Sequence, residues 1–322
     1  MIVAFVEHSE GRPDQLSLEM LALAARLGAE GHGVLHAVLF GDGADEAAAT
    51  LSPHGVASAS VVTHERLDDY APVAWASSLR QVMAERSPNL VMAAGSERGN
   101  EVLAYLGAQT TLPMVANVTD VRGGPRMGIT RQRWAGSLLE DAWLDGSVAL
   151  MTVAPHAVAP APSAATTTVI VEPFAPALGD ADLQVRVTSR VAPDAGRISL
   201  ADARVVVGGG RGVGGAEGFA ALEELANLLG GAVGVSRAVT SAGWRPHAEQ
   251  IGQTGLRIAP DLYIACGISG AIQHIVGCKA AKHILAINND PDSPIMEKAS
   301  YAVIGDLRTI VPAISAEIRR SR

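Results

Sequence analysis

The stretch CGISGAIQH, residues 266–274, lies where a buried strand is predicted to end and a helix to begin. A tight turn requires at most one glycine, whereas this junction holds two glycines, a serine, a glutamine and a histidine. We expect the helix to begin at Ser269 and Gly270, so that its free backbone N–H groups bind a phosphate. Gln273 and His274, one turn into that helix, would reach back toward the same ligand.

Glycines or polar residues follow four other predicted strands in the second half of the chain. They are GGGRGVGG at 208–215, Ser236 with Arg237, NND at 288–290, and Gly305 with Asp306. Because parallel strands end at one edge of a sheet, and ligands bind in the crevice at that edge, the five junctions predict one binding site.

Apolar runs alternate with helical periodicity through the first 107 residues and again from residue 204, which predicts βαβ units and parallel sheets. Short extended runs broken by glycines at 117–153 indicate an antiparallel extension, and the Pro- and Ala-rich residues 154–182 mark a boundary region. We therefore predict an α/β protein with two Rossmann-like parallel-sheet domains. They are 1–190, which carries the extension, and 191–322, which binds the ligand.

Composition narrows the function further. The 322 residues are 48% hydrophobic, and the net charge of −8 argues against a nucleic-acid partner. The N-terminus lacks the features of a signal peptide, and no apolar run reaches about 18 residues, so we expect a cytoplasmic protein without membrane insertion. Cys266 and Cys278 are too few for a metal site, and we expect both to be reduced core thiols.

Gly210, Gly212 and Gly215 match the G-x-G-x-x-G pattern after a strand, which alone is a weak indicator of dinucleotide binding. An NAD site also needs an acid about 20 residues later, at the next strand end, where this chain has Arg237. Since an arginine can accept the 2′-phosphate of NADP, an NADP-dependent oxidoreductase is the alternative interpretation. A nucleotide sensor that uses only residues 208–215 is a third.

The arginine also suits a flavin, because a cation beside a redox ring stabilises its reduced, anionic form. The segment HAEQIGQTG at 247–255 is too long for a simple loop and offers Gln253 and Thr254 beside two glycines. It would supply the additional wall that a dinucleotide as large as FAD requires. The NADP interpretation also needs acid–base groups, which only Asp306 and His274 could provide, and the sensor leaves QIGQTG unexplained. We therefore favour FAD.

Residues 262–307, LYIACGISGAIQHIVGCKAAKHILAINNDPDSPIMEKASYAVIGDL, resemble the alpha subunit of electron transfer flavoprotein. The motifs GGGRGVGG, SRA at 236–238 and AGW-x-PH…QIGQTG at 242–255 resemble the same family. The first half does so more loosely, through MIVAFVEH and the segment AGSERGNEVLAYLGAQTTLPMVANVTDV. The resemblance thus covers nearly the whole chain and is strongest from about residue 204.

The resemblance implies that FAD binds in the second domain. The cofactor-binding residues carried over by motif are Arg211, Ser236, Arg237, Ile251, Gly252, Gln253, Thr254, Ser269, Gly270, Ala271, Ile272, Gln273, His274, Asn288 and Asp306. By the same likeness, Ser236 and Arg237 approach the isoalloxazine ring, which Gln253 and Thr254 also face. Ser269, Gly270 and Gln273 contact the pyrophosphate and ribityl portion. His274 binds the pyrimidine end of the flavin, while Asn288 and Asp306 hold the adenosine portion.

The resemblance also implies an electron carrier rather than an enzyme with its own substrate, so no catalytic residues are expected. The chain would form a heterodimer with a beta subunit and accept electrons from flavoprotein dehydrogenases, such as the acyl-CoA dehydrogenases of fatty acid β-oxidation. It would pass them singly to a membrane quinone oxidoreductase. The particular donor, and whether the beta subunit holds AMP or a second FAD, stay open.

Overall fold

A computed structural model describes residues 1–67, 69–123, 126–146, 148–163, 168–188 and 198–321. The chain divides into two compact units, Met1–Arg190 and Val191–Arg322. The expected boundary near residue 190 lies outside the described residues.

Among its described residues, the first unit has one large sheet, a two-strand hairpin and four α-helices. Its strands are β1 Ile2–Phe5, β2 His8–Ser9, β3 Arg12–Pro13, β4 Leu35–Phe40, β5 Val56–Val62, β6 Leu90–Ala94, β7 Met114–Arg122, β8 Met127–Arg133, β9 Leu138–Leu144, β10 Ala149–Val153 and β11 Ile170–Phe174. Its α-helices are α1 Gln15–Leu27, α2 Ala44–Ala49, α3 Pro72–Arg86 and α4 Glu97–Thr110. The sheet order is β11-β5-β4-β1-β6-β10-β7-β8-β9, while β2 and β3 pair separately.

The parallel sheet and its antiparallel extension are confirmed, with one correction. The strands β7, β8 and β9 pair antiparallel, as expected. The prediction that β10 belongs to this extension is wrong, because β10 lies between β6 and β7 and runs parallel to both. Leu150, Met151 and Val153 are buried, and a strand covered on both faces is typical of the interior of a parallel sheet.

Side chains of alternate residues in β1 enter two separate cores. Ile2 and Ala4 pack in a cluster with α1 and α2, whereas Val3 and Phe5 pack in a cluster with α3 and α4. Such alternation places helices on both faces of the sheet, which is the doubly wound arrangement. At the start of α4 the Ser96 hydroxyl accepts a hydrogen bond from the Gly99 N–H, as expected for a helix N-cap.

The second unit has a five-stranded, fully parallel sheet. Its strands are β12 Val205–Gly209, β13 Ala232–Val235, β14 Leu262–Cys266, β15 His283–Asn288 and β16 Tyr301–Ile304. Its α-helices are α5 Phe219–Leu229, α6 Arg237–Ser241, α7 Ile272–Cys278, α8 Pro294–Lys298 and α9 Leu307–Arg320. The order β13-β12-β14-β15-β16 reverses direction at β12, so the topological switch point lies between β12 and β14.

The glycine-rich junction after β14 differs from the sequence-based expectation, and the one after β12 is irregular as well. The helix after β14 begins at Ile272 and not at Ser269 and Gly270, because Gly267 and Gly270 have φ angles of +61° and +83° that a helix does not adopt. After β12, short 3₁₀ turns at Arg211–Val213 and Ala216–Gly218 precede α5, which starts only at Phe219. Both junctions therefore present irregular backbone at the edge of the sheet.

Cys266 and Cys278 are buried and form no disulfide bond. Burial raises the pKa of both thiols to about 12, so they remain protonated core residues. Among the helices that the structure describes, none is long and apolar enough to cross a bilayer.

Candidate cofactor site

A cavity of about 580 Å³ lies at the carboxyl edge of the second sheet, at its switch point. Its volume is within the range of about 300–1,000 Å³ that small-molecule and cofactor sites occupy. The lining residues that the sequence predicted are Arg211, Ser236, Arg237, Ile251, Gly252, Gln253, Thr254, Ser269, Ala271, Gln273, His274 and Asn288. The junctions after four neighbouring strands thus converge on one site.

Three predicted residues do not line this cavity. Ile272 is 70% exposed at the first position of α7. Asp306 caps α9, where its carboxylate accepts a hydrogen bond of 2.9 Å from the Arg308 N–H. Gly270 shapes the loop from behind, because a Cβ there would lie 2.3 Å from the backbone nitrogen of Ile295.

Glycines allow the two loops at the switch point to pack backbone against backbone. A Cβ on Gly210 would lie 2.2 Å from the carbonyl oxygen of Gly267, and one on Gly212 would lie 2.8 Å from its Cα. The Gly212 N–H donates to the same carbonyl at 3.0 Å. Gly210 and Gly212 therefore hold the two loops together at the cavity, in addition to any approach to a ligand.

The charged residues that line the cavity are mostly cationic. Arg211 and Arg237 are exposed on its wall, and Asp290 is the only carboxylate among the lining residues. The Asp290 carboxylate accepts a hydrogen bond of 3.0 Å from the Asp292 N–H, which stabilises its own turn. Two guanidinium groups thus face the space where an anionic cofactor would lie.

The segment HAEQIGQTG is held by a buried side chain that the sequence analysis missed. Gln250 is 2% exposed, and its amide donates to the Thr254 carbonyl at 3.0 Å and to the Thr254 Oγ1 at 2.9 Å. The Thr240 hydroxyl in turn donates to Oε1 of the Gln250 side chain at 2.5 Å. Because Thr254 Oγ1 already accepts a hydrogen bond, its own hydrogen remains to donate elsewhere.

Asn288 also supports the site, through hydrogen bonds to the loop after β14. It is 8% exposed, and its amide donates to the Ile268 carbonyl at 3.0 Å and to the Ser293 hydroxyl oxygen at 3.2 Å. The Ser293 hydroxyl then donates to the Ser269 carbonyl at 2.9 Å. Ser293 lines the cavity but was not predicted, since it lies beyond the polar residues that directly follow β15. This network fixes the backbone of the loop after β14.

His274 is a buried residue of the cavity wall, with 7% of its surface exposed. Its Nε2 lies 2.8 Å from the hydroxyl of Tyr263, while its Nδ1 has no hydrogen-bond partner among the described residues. Burial lowers the pKa of His274 to about 4, against an opposing effect of the Ile251 carbonyl. The imidazole is therefore neutral at physiological pH.

The arrangement suits a dinucleotide. The cavity combines a switch-point crevice, two guanidinium groups, neutral hydroxyl and amide groups, and one buried ring nitrogen, Nδ1 of His274, without a hydrogen-bond partner among the described residues. The second unit is therefore a dinucleotide-cofactor-binding domain of the doubly wound α/β class.

Comparison with known proteins identifies the family. A model described as "Electron transfer flavoprotein domain" matches residues 2–178, and one described as "Electron transfer flavoprotein FAD-binding domain" matches residues 199–279. The chain belongs to the electron transfer flavoprotein alpha-subunit family, and its second unit binds FAD. The resemblance and the FAD prediction are thus confirmed, whereas the contacts of individual residues with FAD remain predictions.

The similar proteins cover almost the full length of the chain. The electron transfer flavoprotein subunit alpha of Syntrophomonas wolfei is 34% identical over 98% of both chains. The Mycobacterium tuberculosis protein of that name is 36% identical, and the match covers 99% of this chain and 98% of that protein. The Bacillus subtilis protein is 31% identical, and the match covers 99% of this chain and 97% of that protein. A putative thiamin diphosphate-dependent enzyme from Mycobacterium smegmatis matches with a TM-score of 0.26 and 12% identity over 98% of this chain and 59% of its own, which supports no conclusion.

Proposed function

We infer that the chain is the FAD-holding subunit of a heterodimeric electron carrier. With a beta subunit it accepts electrons from flavoprotein dehydrogenases, such as acyl-CoA dehydrogenases, and passes them one at a time to a membrane quinone oxidoreductase. The observation that carries this proposal is the cavity of the second unit, whose wall combines guanidinium groups with positioned neutral side chains. Such residues set the position and charge of a redox cofactor, and FAD supplies the electron chemistry when it is bound.

The tasks that the family resemblance implies for the lining residues agree with their chemistry. Arg237 compensates the negative charge of a reduced flavin ring. Thr254 donates its free hydroxyl hydrogen to the ring, because Gln250 occupies its oxygen. His274 donates to the pyrimidine end of the flavin. Ser269 and Gln273 bind the pyrophosphate and ribityl portion.

Two further assignments concern Asn288 and Arg211. Asn288 keeps the adenosine end in place through the loop that it supports. Arg211 lies in the glycine loop beside the cofactor.

Exposed apolar side chains in the first unit support the proposal of a partner subunit. The large ones are Trp134, Leu138, Leu139 and Trp143, exposed by 80%, 56%, 69% and 62%. They lie on or beside β8 and β9, in the antiparallel extension. Clusters of exposed apolar side chains indicate protein interaction sites, and the beta subunit is the occupant that we propose.

The NADP alternative receives less support from the geometry. A hydride-transfer enzyme needs an acid–base group at the nicotinamide, and Asp306 and His274 were the candidates. Asp306 caps a helix and does not line the cavity. Burial lowers the pKa of His274 to about 4, so that it is a poor acid or base near neutral pH.

The test uses the chain co-expressed with its beta subunit. We expect the two proteins to co-purify as a yellow complex, whose flavin absorbance bleaches under anaerobic conditions when a reduced acyl-CoA dehydrogenase is added. Dithionite serves as the control that the bound flavin can be reduced. A flavin that dithionite reduces, but that no reduced flavoprotein dehydrogenase bleaches, would contradict the proposal.

A further inference from the structure

Tyr263 and His274 form an isolated buried pair in the second unit. Tyr263 is fully buried in β14, and the hydrogen bond to His274 Nε2 at 2.8 Å is the one that its hydroxyl makes among the described residues. Only one hydrogen atom can lie between the two, so either the phenol or the imidazole donates. The choice decides whether Nδ1, the other ring nitrogen of His274, carries a proton or a lone pair.

The hydrogen-bond balance favours the phenol as donor. If Nε2 donated, the Tyr263 hydroxyl hydrogen would remain buried without an acceptor, which costs about 1–3 kcal/mol. If the phenol donates, the remaining N–H is at Nδ1, on a residue that lines the cavity. The Ile251 carbonyl lies near enough to the ring to affect its titration, and a carbonyl oxygen attracts an N–H and repels a lone pair.

The neighbouring strand makes room for the phenol. A Cβ on Gly208, in β12, would lie 2.2 Å from the Tyr263 hydroxyl and 2.5 Å from its Cε2. Glycine inside a strand weakens it and often marks the close approach of another group. Here the missing side chain allows the tyrosine ring to lie across β12 and reach the histidine.

Burial also keeps both partners in the required protonation states. Desolvation raises the pKa of Tyr263 well above its usual value, so the phenol remains a donor. The titratable side chains whose charge would act on Tyr263 are the buried thiols of Cys266 and Cys278, which stay protonated. No charge in this group can therefore reverse the direction of the hydrogen bond near neutral pH.

We propose that Tyr263 is a positioning residue, which donates to His274 Nε2 and so holds the imidazole as a neutral Nδ1–H donor toward a carbonyl or ring-nitrogen acceptor of the flavin. The inference rests on the proposed function only for the identity of the acceptor. The hydrogen bond from Tyr263 fixes the orientation of the His274 imidazole, whose Nδ1–H remains a donor because the ring does not titrate near neutral pH.

The primary test is imidazole nitrogen NMR of the complex with isotopically labelled histidine. The chain has nine histidines, and the spectrum of a His274→Gln variant assigns the signal. We expect a single Nδ1–H tautomer from about pH 6 to about pH 9. In Tyr263→Phe, which keeps the ring and removes the hydroxyl, we expect a mixture of tautomers. An Nε2–H tautomer in the unmodified protein would overturn the proposal.

The second test separates positioning from a structural role. Tyr263→Phe should raise the FAD dissociation constant about three- to tenfold in the original background and less than about twofold in His274→Gln. Equal losses in both backgrounds would overturn the proposal. Tyr301→Phe, at a tyrosine 68% exposed in the same unit, is the matched control and should change nothing.

The two hypotheses can fail separately. A complex without flavin would overturn the proposed function, whereas the tautomer of His274 can be read without any cofactor.

Discussion

The two units carry cavities of similar volume at the carboxyl ends of parallel strands, but the charged side chains that line them are of opposite sign. The cavity of the second unit measures about 580 Å³ and presents Arg211 and Arg237. That of the first unit measures about 530 Å³ and lies at the ends of β1 and β4. Its charged lining residues are Glu7, Glu10, Asp42, Asp69 and Arg98.

The difference shows that the fold supplies the crevice and the side chains select the ligand. In the first unit Glu7 is 8% exposed and accepts a hydrogen bond from the Ser96 hydroxyl. Burial raises the pKa of Glu7, because few groups compensate its charge. A pyrophosphate near four carboxylates would be repelled, so we expect FAD to bind only in the second unit.

The largest effect on stability and FAD affinity should come from a side chain that forces apart the two glycine-rich loops of the FAD cavity. In Gly210→Ala the new Cβ would meet the Gly267 carbonyl at 2.2 Å, a backbone contact that cannot move without separating two loops. We expect a loss of about 3 kcal/mol of stability and at least a hundredfold weaker FAD binding, measured by flavin fluorescence during titration of the apoprotein.

The matched control is in the other cavity. Gly41→Ala places a Cβ where no heavy atom lies within 4 Å, although its φ of +85° makes alanine strained. It should cost about 1 kcal/mol of stability and leave FAD affinity unchanged. Equal loss of FAD in the two variants would mean that the cavities do not differ in function.

The strands and most of the residues that line the FAD cavity could be predicted from the sequence, because both depend on short local patterns. Apolar runs locate the strands, and the polar residues that follow them locate most of the lining side chains, from Arg211 to Asn288.

What the sequence did not show depends on distant contacts. The position of β10 is set by its two neighbours, and its apolar run fits either type of pairing. Gln250, Ser293 and Tyr263 act through partners that only the folded chain brings near. The helix α7 starts later than predicted because Gly270 has a positive φ and packs against Ile295. The periodicity of apolar residues carries no information about that contact.

An intermediate effect is expected when the positive charge of the FAD cavity is reduced. Arg237→Ala should leave FAD bound but make its anionic reduced form less favourable, by on the order of 1–2 kcal/mol. This corresponds to a midpoint potential about 40–90 mV more negative for one electron, measured by reductive titration against reference dyes. Arg98→Ala removes a guanidinium from the other cavity and should leave the potential unchanged. The same potential in both variants would refute the role assigned to Arg237.

The smallest effect concerns the buried carboxyl of the first unit. Its raised pKa means that the folded state holds the Glu7 proton more tightly than the unfolded state. Ionised Glu7 therefore costs stability at high pH, and this cost disappears as the pH falls toward the ordinary value of 4.5. Because glutamine keeps an oxygen for the Ser96 hydroxyl but cannot ionise, Glu7→Gln should stabilise the complex by about 1 kcal/mol at pH 8.

This gain should shrink toward zero near pH 4.5, which thermal unfolding at both pH values would measure. Glu85→Gln, at an exposed position of α3, should show no such dependence on pH. A gain in Glu7→Gln that is equal at both pH values, or a loss at pH 8, would show that the carboxylate is stabilised by its surroundings. In that case the first cavity would tolerate negative charge, and repulsion could not explain why FAD binds only in the second.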